Sequence, residues 1–298
     1  MRLYLDCVPC FIRQALEAAR GAGLDEDASR RLLERTLALA ARLDWSLPPP
    51  LVGREIHRAV RELAGDPDPY LARKVRATEE ALAVLPRVEE RIRRSRRPFL
   101  EALRYSIAGN VIDLGAKAGP NADARAALEA ACSARLDEEA AGRFEQAVRR
   151  ASRILFIADN AGEIVLDRPL LERMGREKVT VAVRGGPVIN DATLEDAERA
   201  GLAGRFRLLS SGSDTPGTWL PDCSEEFRRL FEEADLVVAK GQGNYETLSG
   251  AACDKVYFLL MAKCPVAAAD LGVEVGCFVV AGGGGPRPRE ENVEVARK

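Results

Sequence analysis

From residue 152 onward the sequence repeats one pattern: a short β-rich run, a turn, then a stretch with helical periodicity. The runs are RILFIA (153–158), VTVAVR (179–184), FRLLSS (206–211), DLVVAK (235–240), VYFLLMA (256–262), PVAAA (265–269) and CFVVA (277–281). Helical patterns follow the first four runs, near 163–174, 191–200, 224–234 and 244–252. Most of these runs are apolar throughout rather than alternating, as strands covered on both faces require. Strand–helix alternation of this kind joins strands in parallel, so the expected class is α/β, with helices on both faces of a parallel sheet.

The preceding residues read differently. Apolar positions recur at three- and four-residue steps, as in Leu32, Leu33, Thr36, Leu37, Ala40 and Leu43, which is helical spacing. Breaks fall at Gly21–Gly23, at Pro48–Pro50 and between Gly65 and Pro69. Two regions are expected: an all-helical one over 1–150 and an α/β one over 151–298.

Ligands of an open parallel sheet bind outside the carboxyl ends of its strands, so the residues at those ends are the candidates. Asp159, Asn160 and Glu163 follow the first run. Arg184, then Asn190 and Asp191, follow the second, and Ser210 and Ser211 close the third. Lys240, Gly241, Gln242 and Asn244 follow the fourth, and Lys263 the fifth. The chain has seven lysines among 44 basic residues, so two at strand ends stand out from ordinary solubilising surface. Asp159, Asn160 and Asp191 offer hard oxygen donors suited to Mg²⁺, Mn²⁺ or a similar ion. Lys240 or Lys263 would then neutralise a phosphate touching the same ion. Gly162 and Gly241 would let backbone N–H groups approach an anion at helix N-termini. The competing reading is that Asp159 or Asn160 caps the following helix, and Asn190 or Asp191 the next one.

Composition removes several function classes. With 47% hydrophobic and 30% charged residues and a net charge of -2, the chain reads as a soluble globular protein without the basic excess of a nucleic-acid binder. The run Arg91–Arg97 follows Glu89 and Glu90 and reads as a solvated helix end. No run approaches the ~18 apolar residues of a membrane span, and the N-terminus has no secretory pattern. Seven scattered cysteines argue against a disulfide framework and for a reducing cytoplasm. His57 is the only histidine and lies in a helical stretch, which argues against a Ser-His-Asp triad and a histidine zinc site. Cys7 and Cys10 form a lone C-x-x-C, read as structural. Neither G-x-G-x-x-G nor G-x-x-x-x-G-K-[ST] occurs.

The motifs ADNAGE, VRGGPVINDAT, KGQGNYETL and AKCPV, in that order, resemble the metal-dependent damage-control phosphatases catalogued as domain of unknown function 89. DCVPCF, GREIHRAV, DPYLARK and IAGNVID resemble the prokaryotic, cysteine-containing branch. The resemblance spans Leu5 to about Val280. It implies a three-layer α/β/α sandwich with a mainly parallel, Rossmann-like sheet and an N-terminal helical region. It implies hydrolysis of small phosphomonoesters, sugar phosphates or damaged phosphometabolites, with Mn²⁺, Co²⁺, Ni²⁺ or Mg²⁺. Asp159, Asn160 and Asp191 match the family's metal ligands and Lys263 its phosphate lysine. Asn110 and Asn244 match site positions by motif.

The mechanism expected from both lines is attack by a metal-activated water. Asp159 or Glu163 orients or deprotonates it, and Lys263 and backbone N–H groups stabilise the developing charge. Arg184, Lys240, Gly241 and Asn244 would contact substrate. Asp159 as a covalent nucleophile stays open. So do a non-catalytic metal- or nucleotide-binding protein and a methyltransferase. Neither the physiological substrate nor the oligomeric state is readable, and no nucleic-acid or membrane partner is expected.

Overall fold

A computed structural model describes residues 1–109, 135–250 and 254–282. Among the described residues six helices come first: α1 (Cys7–Gly21), α2 (Glu26–Ala40), α3 (Pro49–Ala64), α4 (Leu71–Arg94), α5 (Pro98–Ala108) and α6 (Glu138–Arg150). Then β1 (Ile154–Ile157), α7 (Glu163–Met174), β2 (Val179–Val183), α8 (Leu194–Arg199), β3 (Arg207–Ser210), α9 (Glu225–Glu233), β4 (Leu236–Lys240) and α10 (Gly241–Leu248) alternate. β5 (Val256–Met261), α11 (Pro265–Leu271) and β6 (Phe278–Gly282) complete the described fold.

The six strands of the described residues form one sheet in the order β3-β2-β1-β4-β5-β6. The first five are parallel, and β6 runs antiparallel to β5 at the edge. The chain therefore moves outward from β1 in one direction and restarts from β1 in the other. The loops after β1 and β4 diverge to opposite faces, leaving a crevice at the carboxyl ends of those two strands.

Each face of the sheet carries its own apolar layer. Phe156, Val181, Val183, Val238 and Leu259 pack with α4 to α8 on one side. Leu155, Ile157, Val237, Ala239 and Phe258 pack with Phe227 and Phe231 of α9 and Tyr245 and Leu248 of α10 on the other. This double cover is why the strands are apolar at successive positions, each fully buried aliphatic side chain contributing roughly 1.5–3 kcal/mol. A third cluster, with Phe11, Leu32, Val52, Ile56 and Val60, binds α1, α2 and α3 together.

The PVAAA stretch (265–269), expected as a strand, lies in α11. Pro265 occupies the first helical turn, the Cys264 sulfur accepts from the Ala267 N–H, and Gly272 closes the helix in the left-handed region. These are start and stop signals, and alanine favours the helix between them. The CFVVA run is a strand, but its direction is reversed relative to the other five. Among the described residues no helix is long and apolar enough to cross a membrane.

Candidate functional site

Residues from the loops after β1, β2 and β4 meet in the crevice. The first two loops are tied by backbone. Asn160 and Asp191 form an isolated antiparallel bridge, with Ala161 N–H donating to Asn190 O at 2.9 Å and Ala192 N–H to Asp159 O at 2.7 Å. Ile189, just before this bridge, sits at φ 47°. That left-handed conformation is costly for a β-branched residue, about 1–3 kcal/mol, and such strain clusters at functional sites.

Helix capping does not explain the polar residues here. α7 has Gly162 at its N-cap, with no side-chain cap bond. α8 is capped by Thr193 and Asp196, which form a capping box. The Asn160 carboxamide instead gives its two protons to Asp159 Oδ2 and Glu163 Oε2, both at 2.8 Å. Rotating that amide would set Oδ1 against two carboxylate oxygens. The observed orientation therefore leaves Oδ1 directed away from both, as an oxygen donor.

Asp191 faces Arg184, whose Nε donates to Asp191 Oδ2 at 2.6 Å. Arg184 also donates through Nη1 to Asn244 Oδ1 at 3.2 Å and Thr218 Oγ1 at 3.4 Å. Its Nη2 lies 3.6 Å from Asp159 Oδ1 and, although buried, has no hydrogen-bond partner among the described residues. Asn244 is fixed by donating to Lys240 O at 2.6 Å and Ala158 O at 3.3 Å. Asn244 and Arg184 are thus part of one buried lattice.

Lys240 departs from its expected role as a phosphate contact. It is completely buried. Its ammonium donates to Ser106 O at 2.9 Å, Glu163 Oε1 at 2.7 Å and Asp167 Oδ1 at 2.5 Å. An ammonium has three protons, and all three are taken. Gly241 departs too. At φ +78° its position for a Cβ lies 1.9 Å from Asp159 Oδ2, so its bareness makes room for the Asp159 carboxylate rather than for an anion. Gly162 makes room for α4, with Ala77 O 3.0 Å from where its Cβ would stand.

Lys263 is exposed, in the connection from β5 to α11. Its backbone N–H donates to Gln242 Oε1 at 3.0 Å. Its charge is close enough to Asp159 and Asp191 to favour their ionised forms. Asn110 lies outside the described residues. Three members of the lattice had no place in the strand-end reading: Asp167, Ser106 and Thr218. Asp167 stands four residues after Glu163, on the same face of α7, and that spacing was its available signal.

The electrostatics are lopsided. Asp159, Glu163, Asp167 and Asp191 are buried carboxylates, while the buried cations among them are Arg184 and Lys240. Among the described residues the buried part of the cluster thus holds four carboxylates against two cations, with the exposed Lys263 acting on Asp159 and Asp191 from the rim. Burial raises the Asp159 carboxyl well above its usual range, reinforced by Glu163 and Asp191. Burial also raises Asp191, against the pull of Arg184, and lifts Asp167 to about 6. Among the described residues, no group of three or more His, Cys, Asp and Glu is arranged to hold a metal. The available donors are instead the carboxylates of Asp159 and Asp191 and the carboxamide oxygen of Asn160. One divalent cation would match both that oxygen set and the excess charge.

Two sequence features lie elsewhere. His57 is buried, 2.7 Å from Tyr70 Oη through Nδ1. Burial lowers its pKa to about 3, so it is neutral. Cys7 and Cys10 are in the first turn of α1, and burial raises the Cys7 thiol to about 11.

The sequence matches the damage-control phosphatase ARMT1-like domain over residues 3–278. It is 36% identical to an uncharacterized protein of Methanocaldococcus jannaschii, covering 91% of this chain and 92% of that one. It is 33% identical to a damage-control phosphatase of Pyrococcus horikoshii (94% and 97% covered) and 36% identical to one of Archaeoglobus fulgidus (92% and 96%). The fold superposes on the crystal structure of a DUF89 family protein from P. horikoshii with a TM-score of 0.84 at 33% identity, covering 97% of this chain and all of that one. On these grounds the chain belongs to the damage-control phosphatase ARMT1-like family.

Proposed function

We infer that this protein is a divalent-metal-dependent phosphatase of small phosphomonoesters, with Asp159, Asn160 and Asp191 as the ion's oxygen donors. The observation that carries the reading is the excess of buried carboxylates over buried cations beside a buried Arg184 N–H that has no partner among the described residues. A cation answers the first and an anionic oxygen the second. The names of two of the relatives, both damage-control phosphatases, add support for phosphate ester chemistry.

When bound, a divalent ion supplies Lewis acidity and lowers the pKa of a coordinated water. The chain supplies the rest. Asp159, pressed against Gly241 and flanked by Asn160, orients the attacking water and accepts its proton. Arg184 Nη2 holds a phosphoryl oxygen and strengthens its grip as negative charge grows. Lys263, exposed at the rim, draws the dianionic substrate in and neutralises it. Arg184 remains bound to Asp191 throughout and so keeps phosphate and ion donors in register. The bond from phosphorus to the ester oxygen breaks, and the leaving alkoxide takes a proton from solvent.

The test is turnover of an aryl phosphate. Purified protein with added Mn²⁺ or Co²⁺ is expected to hydrolyse it, to lose activity with EDTA and to regain it with the ion. Asp159→Ala is expected to lower kcat/KM by about 10³-fold or more. Wild-type protein that stays inactive with every divalent ion would overturn the reading in favour of a non-catalytic binding protein.

A further inference from the structure

Behind the oxygen donors lies a chain of contacts that reaches no solvent. Asp167 and Lys240 are both fully buried and Glu163 is 1% exposed. Ser106 Oγ donates to Asp167 Oδ1 at 2.6 Å. Asp167 Oδ1 and Ser106 O both hold the Lys240 ammonium, which in turn holds Glu163 Oε1. The other oxygen of Glu163, Oε2, accepts the Asn160 amide. The aromatic ring of Phe156 lies 5.9 Å below the ammonium, closing its remaining side.

We propose that Asp167 and Lys240 are a positioning pair that sets, through Glu163, which atom of Asn160 faces the ion's site. Asn160 has two amide orientations of nearly equal shape. It is locked in one because its nitrogen stands between two carboxylates, and Glu163 is one of those two. Glu163 does this while its own carboxylate is held in place, and Lys240 holds it through Oε1. Lys240 is long and flexible and needs a fixed acceptor, which is Asp167, anchored by Ser106. The sequence links of this chain are far apart: α5 supplies Ser106, α7 supplies Glu163 and Asp167, and β4 supplies Lys240. The Lys240 ammonium thus joins α5 and α7 to the site. Glu163 is on this account a positioning residue rather than the base that takes the water's proton. The inference rests on the phosphatase reading for its consequence in catalysis, though not for the geometry itself.

A charge effect must be separated from a positioning effect. Removing Asp167 or Lys240 alone changes the net charge near the site. The double variant Asp167→Asn with Lys240→Met removes one charge of each sign and leaves the sum unchanged. The direct readout is the side-chain amide of Asn160 in a ¹⁵N–¹H spectrum of metal-free protein, assigned by its loss in Asn160→Asp. In wild-type protein both amide protons are expected downfield and slow to exchange. In the double variant, with backbone signals showing the fold intact, they are expected to move upfield and exchange at least tenfold faster. Mn²⁺ affinity and kcat for the aryl phosphate are expected to fall about 10–100-fold, the usual size for lost outer-shell partners, with KM changing less than threefold. Ser106→Ala alters no charge and is expected to give the same changes at smaller size, and it serves if the double variant does not fold. An unaltered Asn160 amide in the folded double variant, or in Ser106→Ala in its place, overturns the proposal. Because the spectrum is taken without metal or substrate, inactive wild-type protein would sink the phosphatase reading and leave this arm standing.

Discussion

Lys74 and Lys240 are both lysines of the interior, each held between two carboxylates. Lys74 in α4 lies 2.7 Å from Asp68 and 2.7 Å from Asp196. Asp196 also accepts from the N–H and hydroxyl of Thr193 and from Arg199. The two carboxylates there face two cations, and none of those side chains leaves a buried polar atom without a partner. Lys240 stands in a cluster of four carboxylates and two cations, where Arg184 Nη2 and Asp167 Oδ2 are buried without partners among the described residues. The first cluster fastens α4 to the start of α8 and is complete in itself. The second leaves two buried polar atoms unmatched among the described residues. Buried charge is therefore a poor guide to function by its presence, and a good one by what it leaves unmatched.

Breaking each cluster should expose this difference. Lys74→Met leaves a buried carboxylate pair without its shared cation. It is expected to destabilise the fold by about 3 kcal/mol, the lower end for a broken buried pair because Asp196 keeps Thr193 and Arg199. Chemical denaturation measures this. Mn²⁺ is expected to raise the melting temperature of Lys74→Met by nearly the same increment as wild type, since Lys74 donates to none of the ion's donors and acts on Asp191 only as the smallest of the charges around it. An increment clearly different from that of wild type, in either direction, would mean that the two clusters are coupled, and the comparison would fail.

Glu246 in α10 sharpens the contrast from a third position. It is 9% exposed, accepts from Gln242 at 2.7 Å, and burial lifts its carboxyl to about 7. A raised folded-state pKa means that the folded protein holds the proton more tightly than the unfolded chain. The resulting stabilisation is complete below the ordinary carboxyl range near 4.5 and is lost as pH rises through 7. It amounts to about 3 kcal/mol. Glu246→Gln keeps the hydrogen bond and abolishes the titration. Relative to wild type, the variant should therefore gain stability between pH 5 and pH 8, by up to that amount. Parallel stability curves for the two proteins would show that Glu246 titrates as an exposed carboxylate does.

What the sequence alone conveyed follows from where the information sits. β1 and β4 were readable because strands covered on both faces must be apolar at every position. The reversal of β6 was not, because direction within a sheet leaves no mark on a five-residue apolar run. PVAAA was misread because a short run of small apolar residues satisfies strand and helix alike until its caps are weighed. Asp159, Asn160 and Asp191 could be gathered from separate loops because parallel strands share one carboxyl edge. Asp167 and Ser106 lie off that edge, and their link to Lys240 spans 73 and 134 residues. Lys240 itself was placed in the right neighbourhood with the wrong task. A lysine at a strand end can face outward to a phosphate or inward to two acids, and the choice rests on partners that local sequence does not reveal.

The central claim is that the excess of buried negative charge is a divalent ion's site. Titration of metal-free protein with Mn²⁺ by calorimetry, in wild type and in Asp159→Ala, tests it without any substrate. The account predicts one ion bound per chain in the wild type, with a higher melting temperature when it is bound, and both lost in Asp159→Ala. No stoichiometric binding in folded wild-type protein, or binding unchanged in the variant, would contradict it.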